Sequence, residues 1–142
     1  MKTEKVSINL NPTELGQIDY LVEKGIYDSR SDFIRMATRK SLEHYAPDFQ
    51  KFIDRAEGLW GDPPEVARHI IIGVSSISKS DITRLIAHGK RINISVIGLL
   101  KIAADITRDD VMDAVLSCKV YGKLVASDEV KEAIREIEAR EN

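Results

Sequence analysis

The sequence predicts a mixed α and β protein in two parts. A strand–helix–helix module comes first, followed by an α/β part of about three strand–helix repeats. Three observations predict this. Residues 5–10 read KVSINL, in which Val6, Ile8 and Leu10 alternate with Lys5, Ser7 and Asn9. Such period-two alternation marks a strand with one apolar and one polar face. Helix start and stop signals then punctuate residues 11–44. Finally, the tetrapeptide DITR stands at 81–84 and again at 105–108, with flanks that also agree.

Bulk properties bound the function. A chain of 142 residues suits one domain or two small ones. With 43% hydrophobic and 31% charged residues, it has the balance of a soluble globular protein. No apolar run approaches the roughly 18 residues of a membrane helix. The opening MKTEKVSINL lacks the apolar stretch and cleavage site of a signal peptide. One cysteine, Cys118, excludes an internal disulfide framework, so a cytoplasmic, reducing location is expected. The net charge of −2 argues against a generally basic protein, though not against a local basic surface. Residues 1–45 carry seven Lys/Arg and seven Asp/Glu. A case for DNA binding must therefore rest on where those charges sit.

The elements follow in order. After the strand, Asn11 is a good N-cap, Pro12 fits the first helical position, and Glu14 completes a capping box. A helix from about Pro12 to Lys24 places Leu15, Ile18, Leu21 and Val22 on one face, and Gly25 stops it. The turn IYDSRSDF offers Asp28, Ser29 and Ser31 as caps. A second helix, about Ser31 to His44, presents Phe33, Ile34, Ala37 and Leu42 inward. Arg35, Arg39 and Lys40 read as solvated charges on that helix, and His44 as a surface residue.

A strand and two helices in under fifty residues cannot be stable alone. The lone strand leaves both edges unpaired, and so short a chain buries too little apolar surface. The economical solution is a two-fold dimer. The strand pairs antiparallel with its copy, four helices pack beneath, and Lys5, Ser7 and Asn9 face outward, doubled by symmetry. A two-stranded ribbon fits the major groove, where Lys donates to guanine, Asn bonds adenine bidentately and Ser serves either.

The segments K-V-S-I-N-L, N-P-T-E-L-x-x-I-D-x-L-V-x-x-G and S-R-S-D-F-I-R-x-A, at this spacing, resemble the ribbon-helix-helix family of Arc, MetJ and CopG-type repressors. The resemblance covers roughly Lys5 to Tyr45. It implies an intertwined homodimer whose ribbon residues, here Lys5, Ser7 and Asn9, read bases in double-stranded DNA. It also implies a phosphate grip at the N-terminus of the second helix, here Ser29, Arg30 and Ser31, with Lys2 as a further phosphate contact. Physics agrees, because a helix N-terminus is an anion site. Asp28 and Asp32, close to that grip, are a departure that works against it.

Residues 47–69 form the connector between a DNA-binding domain at 1–46 and a repeat domain at 70–142. Pro47 follows the second helix, Phe49, Phe52 and Ile53 suit an amphipathic turn or helix, and Trp60 reads as a packing residue. GDPPE is a breaker.

In the last part, IIGVSSISKSDI, VIGLLKIAADI and VYGKLVASDEV stack on Gly73, Gly98 and Gly122. Each glycine reads as a bulge or a tight backbone approach in a strand. Asp81, Asp105 and Asp128 are expected as N-caps or first-turn acids of helices at 82–90, 106–118 and 129–139. The last of these packs Val130, Ala133, Ile134 and Ile137 inward. A period of 24–25 residues suggests stacked units forming a small parallel sheet. Splitting INISVIGLLKIA into two strands would instead give a β-α-β-β-α-β domain.

Chemical motifs are scarce. No GxGxxG loop and no phosphate-binding GKS or GKT is present. His69, His88 and Cys118 match no compact metal spacing, and Asp109, Asp110 and Asp113 read as an exposed acidic helix start. No cofactor, no metal and no enzymatic activity are expected. The leading expectation is a prokaryotic DNA-binding transcription regulator, a repressor, acting as a homodimer or tetramer. Its C-terminal part would serve assembly, or bind a protein or small-molecule effector. The alternative is an antitoxin that autoregulates its operon and neutralises a toxin through that part. An enzyme or sensor would need a pocket with converging polar groups within residues 70–127.

Overall fold

The computed structural model describes residues 3–57 and 66–141. They form α1 (Pro12–Glu23), α2 (Arg30–His44), α3 (Ala46–Glu57), β1 (Val66–Ile77), α4 (Lys79–Ala87), β2 (Arg91–Ile102), α5 (Arg108–Ala114), β3 (Val115–Val125) and α6 (Asp128–Glu141). The chain divides into two compact units, Met1–Phe49 and Gln50–Asn142. The expectations for Lys2, Trp60 and GDPPE fall outside the described residues.

In the first unit, residues 3–11 lie in neither helix nor ladder. The strand expected over residues 5–10 is therefore not formed within one chain, because a ladder requires a second strand to exchange hydrogen bonds with. Helix α1 begins as its sequence dictates. The Glu14 amide donates to Asn11 Oδ1 at 2.8 Å, and the Asn11 amide donates to Glu14 Oε2 at 3.2 Å. It ends in a Schellman motif at Gly25 (φ 76°): the Gly25 amide donates to the Val22 carbonyl and the Ile26 amide to the Leu21 carbonyl, both at 3.0 Å. Tyr27 and Phe33 meet edge to face at 4.9 Å across the turn into α2.

Packing in this unit is thin. Ile18 is buried, and α2 buries no residue fully. Phe33 and Ile34 are half-buried, whereas Ala37 and Leu42, expected inward, are exposed. One short partner helix cannot cover a fifteen-residue helix, and a unit this small has little else to offer.

The second unit is built differently. Its strands form one parallel sheet in the order β1-β2-β3. Gly73 pairs with Gly98, and Gly98 with Gly122, so the three glycines form a row across the sheet. Ile94, Val96 and Leu100 of β2 and Cys118 of β3 join Ile82, Ile106, Val111 and Val130 in a single core. The four α6 residues expected inward, Val130, Ala133, Ile134 and Ile137, are all buried.

Four expectations are corrected here. Strand β1 is already formed at Val66, inside the stretch assigned to the connector, because Val66 pairs with Arg91 at the start of β2. INISVIGLLKIA does not split; Arg91–Ile102 is one strand. The helix expected over 106–118 is confined to Arg108–Ala114, since Val115 and Cys118 pair with Ile92 and Ile94 and are buried there. Asp81 and Asp128 are first-turn acids, as expected, but the α4 and α5 caps are Ser78 and Thr107, and Asp110 rather than Asp105 completes the Thr107 box. Asp105 precedes the Thr107 cap and plays no part in it.

Ion pairs tie the helices together, Lys79 to Asp110 between α4 and α5, and Arg108 to Glu136 between α5 and α6. The Lys79 contact, with the Thr107 amide, holds the Asp110 carboxyl below the usual carboxylate range.

Cys118 gives a direct probe of this core. It is fully buried, and burial pushes its thiol up to about 12. Thiolate is the reactive form. Iodoacetamide at mildly alkaline pH should therefore leave the native protein unlabelled and modify it only in denaturant. Rapid labelling without denaturant, followed by mass spectrometry, would show that the site opens.

Candidate nucleic-acid interface

The residues expected to meet DNA all lie in the first unit. Lys5, Ser7 and Asn9 are exposed. The apolar residues between them are exposed too: Val6 79%, Ile8 53% and Leu10 37%. Residues 5–10 lie in neither helix nor ladder, and both sets of alternating side chains reach water. The apolar half is surface for something else to cover.

The second group sits where α2 begins. Ser29 is the N-cap, and its Oγ accepts from the Asp32 amide at 3.0 Å. The Phe33 amide donates to the Ser29 carbonyl at 3.1 Å. Of the first amides of the helix, those of Arg30 and Ser31 have no acceptor among the described residues. Orphan amides at a helix start are what an anion binds. The Asp28 amide donates to Asp32 Oδ2 at 3.1 Å. That bond draws the Asp32 carboxylate back over the helix start and lowers the positive potential there.

Arg30 is engaged within the unit. Its Nε donates to Asp19 Oδ1 at 2.7 Å and a terminal nitrogen donates to Asp19 Oδ2 at 2.8 Å. This bidentate pair holds the Asp19 carboxyl below its usual range, chiefly through the side-chain hydrogen bond, and raises Arg30. Arg30 thus ties α2 to α1. Any phosphate it met would share it with Asp19. Sequence reasoning missed this role for Asp19, because the pair depends on how α2 folds back on α1 across the Gly25 turn.

Arg35, Arg39 and Lys40 are exposed along α2. In the second unit, His69 and His88, unrelated by spacing, line one cleft, while Cys118 lies in the core. No group of three or more His, Cys, Asp or Glu side chains is placed to hold a metal ion among the described residues. Nor is any helix among them long and apolar enough to cross a membrane.

Residues 1–131 match a family model described as the Ribbon-Helix-Helix transcriptional regulator family. The match takes in most of the second unit as well as the strand–helix–helix segment. No curated protein and no solved structure matches the chain.

Proposed function

The chain belongs to the ribbon-helix-helix transcriptional regulator family, and from that premise we propose that it is a homodimeric, sequence-specific DNA-binding repressor. Two copies of residues 5–10 pair as an antiparallel ribbon. The ribbon enters the major groove with Lys5, Ser7 and Asn9 against base edges. The free amides of Arg30 and Ser31 anchor a phosphate on each side, with Lys2 adding charge. DNA recognition is assigned to residues 1–46, and assembly beyond the dimer, or effector binding, to the sheet-containing part that begins at Val66.

One observation carries this reading. The first unit exposes Val6, Ile8, Leu10, Tyr20, Ile26, Met36, Leu42 and Tyr45 while burying Ile18. An open groove between α1 and α2, lined by Gly16, Tyr20, Leu21 and Phe33, adds to the uncovered apolar surface. Such a unit lacks a core and gains one by pairing with its copy. Apolar and polar residues alternate along 5–10, so a ladder that buries Val6, Ile8 and Leu10 turns Lys5, Ser7 and Asn9 to the other face.

The test begins with selection from a random duplex library, followed by footprinting. The expected site is short and palindromic or tandem, matching a two-fold protein. Asn9→Ala should then lower affinity for the selected site by roughly 1–3 kcal/mol, with little change on a scrambled duplex. Fluorescence anisotropy on both duplexes decides the matter: equal losses would remove Asn9 from base reading.

A further inference from the structure

The second unit carries a cleft that the DNA reading does not use. It is about 490 Å³ in volume and lies between β1 and α4. Sites for small molecules occupy roughly 300–1,000 Å³. Its floor is apolar, from Ala67, Ile77, Leu85 and Ile92. Its walls are nitrogen-rich: His69 comes from β1, Arg84 from α4, His88 from the helix end and Lys90 from the turn into β2.

The charge balance in this cleft is one-sided. Asp81 is the one carboxylate lining it, and that carboxylate is already engaged: Oδ2 accepts from the Ser78 amide at 2.9 Å and from its hydroxyl at 2.8 Å. No carboxylate lies within ion-pair distance of Arg84 or Lys90 among the described residues, and Arg84 acts on Asp81 only at longer range. His88 Nδ1 donates to the Arg84 carbonyl at 2.7 Å, which fixes that ring at the cleft wall. His69 Nε2 is bonded to Ser75 Oγ at 2.5 Å, which orients the ring. Two full cations and two oriented imidazoles thus share an apolar-floored cleft with one committed anion.

We propose that this cleft binds a small organic anion, a carboxylate or phosphate on a compact apolar body. Arg84 and Lys90 supply the charge-assisted hydrogen bonds, the two histidines flank the anionic group, and the apolar floor takes the rest. The site lies wholly within residues 50–142, so it stands or falls independently of DNA binding.

The experiment is a titration of the full-length protein, followed through the histidine ring resonances by NMR. The probes are benzoate, phenyl phosphate and neutral benzyl alcohol. At least one anion should shift His69 and His88 saturably and leave His44 unmoved; which one acts assigns carboxylate or phosphate. The R84A/K90A variant should bind at least about tenfold more weakly, and R135A, remote on α6, should bind as the parent does. Melting of R84A/K90A near the parent temperature confirms that the loss is local, as expected for side chains with no described carboxylate within ion-pair distance. Failure of both anions to saturate, an equal response to benzyl alcohol, or parent affinity in R84A/K90A would each overturn the proposal.

Discussion

Gly98→Ala is expected to unfold the sheet of the second unit, while Gly73→Ala should only weaken it. Both glycines have backbones in a region that L side chains rarely adopt, at φ 136° and 134°. That strain alone costs about 1–3 kcal/mol for any other residue. What separates them is space. A Cβ at Gly98 would stand 2.1 Å from the Gly73 carbonyl oxygen and 2.9 Å from its carbon, whereas a Cβ at Gly73 meets nothing within 4 Å. The obstructing atoms are backbone in a paired strand, so relief means breaking the ladder between β1 and β2. The combined cost for Gly98→Ala is roughly 4 kcal/mol or more, a large fraction of the 5–15 kcal/mol that stabilises an ordinary domain. Gly122→Ala should behave like Gly98→Ala, because its Cβ would lie 2.1 Å from the Gly98 carbonyl oxygen. Urea unfolding of the three full-length variants measures this directly. Equal midpoints for Gly73→Ala and Gly98→Ala would show that close approach is not what these glycines serve.

The glycine row also explains what was legible in the sequence. Stacking the three segments on Gly73, Gly98 and Gly122 gives the observed register, because the constraint is backbone geometry and only one residue type satisfies it. The repeated DITR does not mark equivalent positions. Residues 81–84 lie inside α4, whereas 105–107 precede α5, which begins at Arg108. Its common element is an isoleucine, Ile82 or Ile106, that fills the core in either setting. Local signals such as the Asn11–Glu14 box and the Gly25 stop were readable, since each involves residues within a turn of one another.

Long-range features were not readable. The Arg30–Asp19 pair spans a helix turn whose geometry sequence does not give. His69 and His88 share a cleft because β1 and α4 are adjacent in space. Val115–Cys118 continues a helical pattern locally, and burial against Ile92 and Ile94 decides for strand. Ala37 and Leu42 follow helical periodicity correctly yet remain exposed. Their periodicity marks a face to be covered, and one chain does not cover it.

Ile8→Asp tests that last point most severely. In one chain Ile8 is 53% exposed, and a substitution on such a surface ordinarily changes stability by no more than about 0.5 kcal/mol. In the ribbon dimer the same side chain and its copy sit between strands and helices. Two carboxylates would then be desolvated without partners, at roughly 3 kcal/mol or more per protomer. The two states of assembly therefore predict opposite outcomes for one change. Light scattering at micromolar concentration should show the parent as a dimer or larger and Ile8→Asp as a monomer. Duplex affinity should fall by at least a hundredfold, because a single strand offers half the base contacts and no ribbon. Cys118 should stay protected from iodoacetamide, which separates loss of assembly from loss of the second unit. Ser7→Asp, on the alternate face, should leave assembly intact and weaken DNA binding through repulsion from the phosphates. An Ile8→Asp protein that keeps the parent's mass and affinity would mean that the apolar half of residues 5–10 is not an interface. The polar half would then have no fixed platform from which to read a groove.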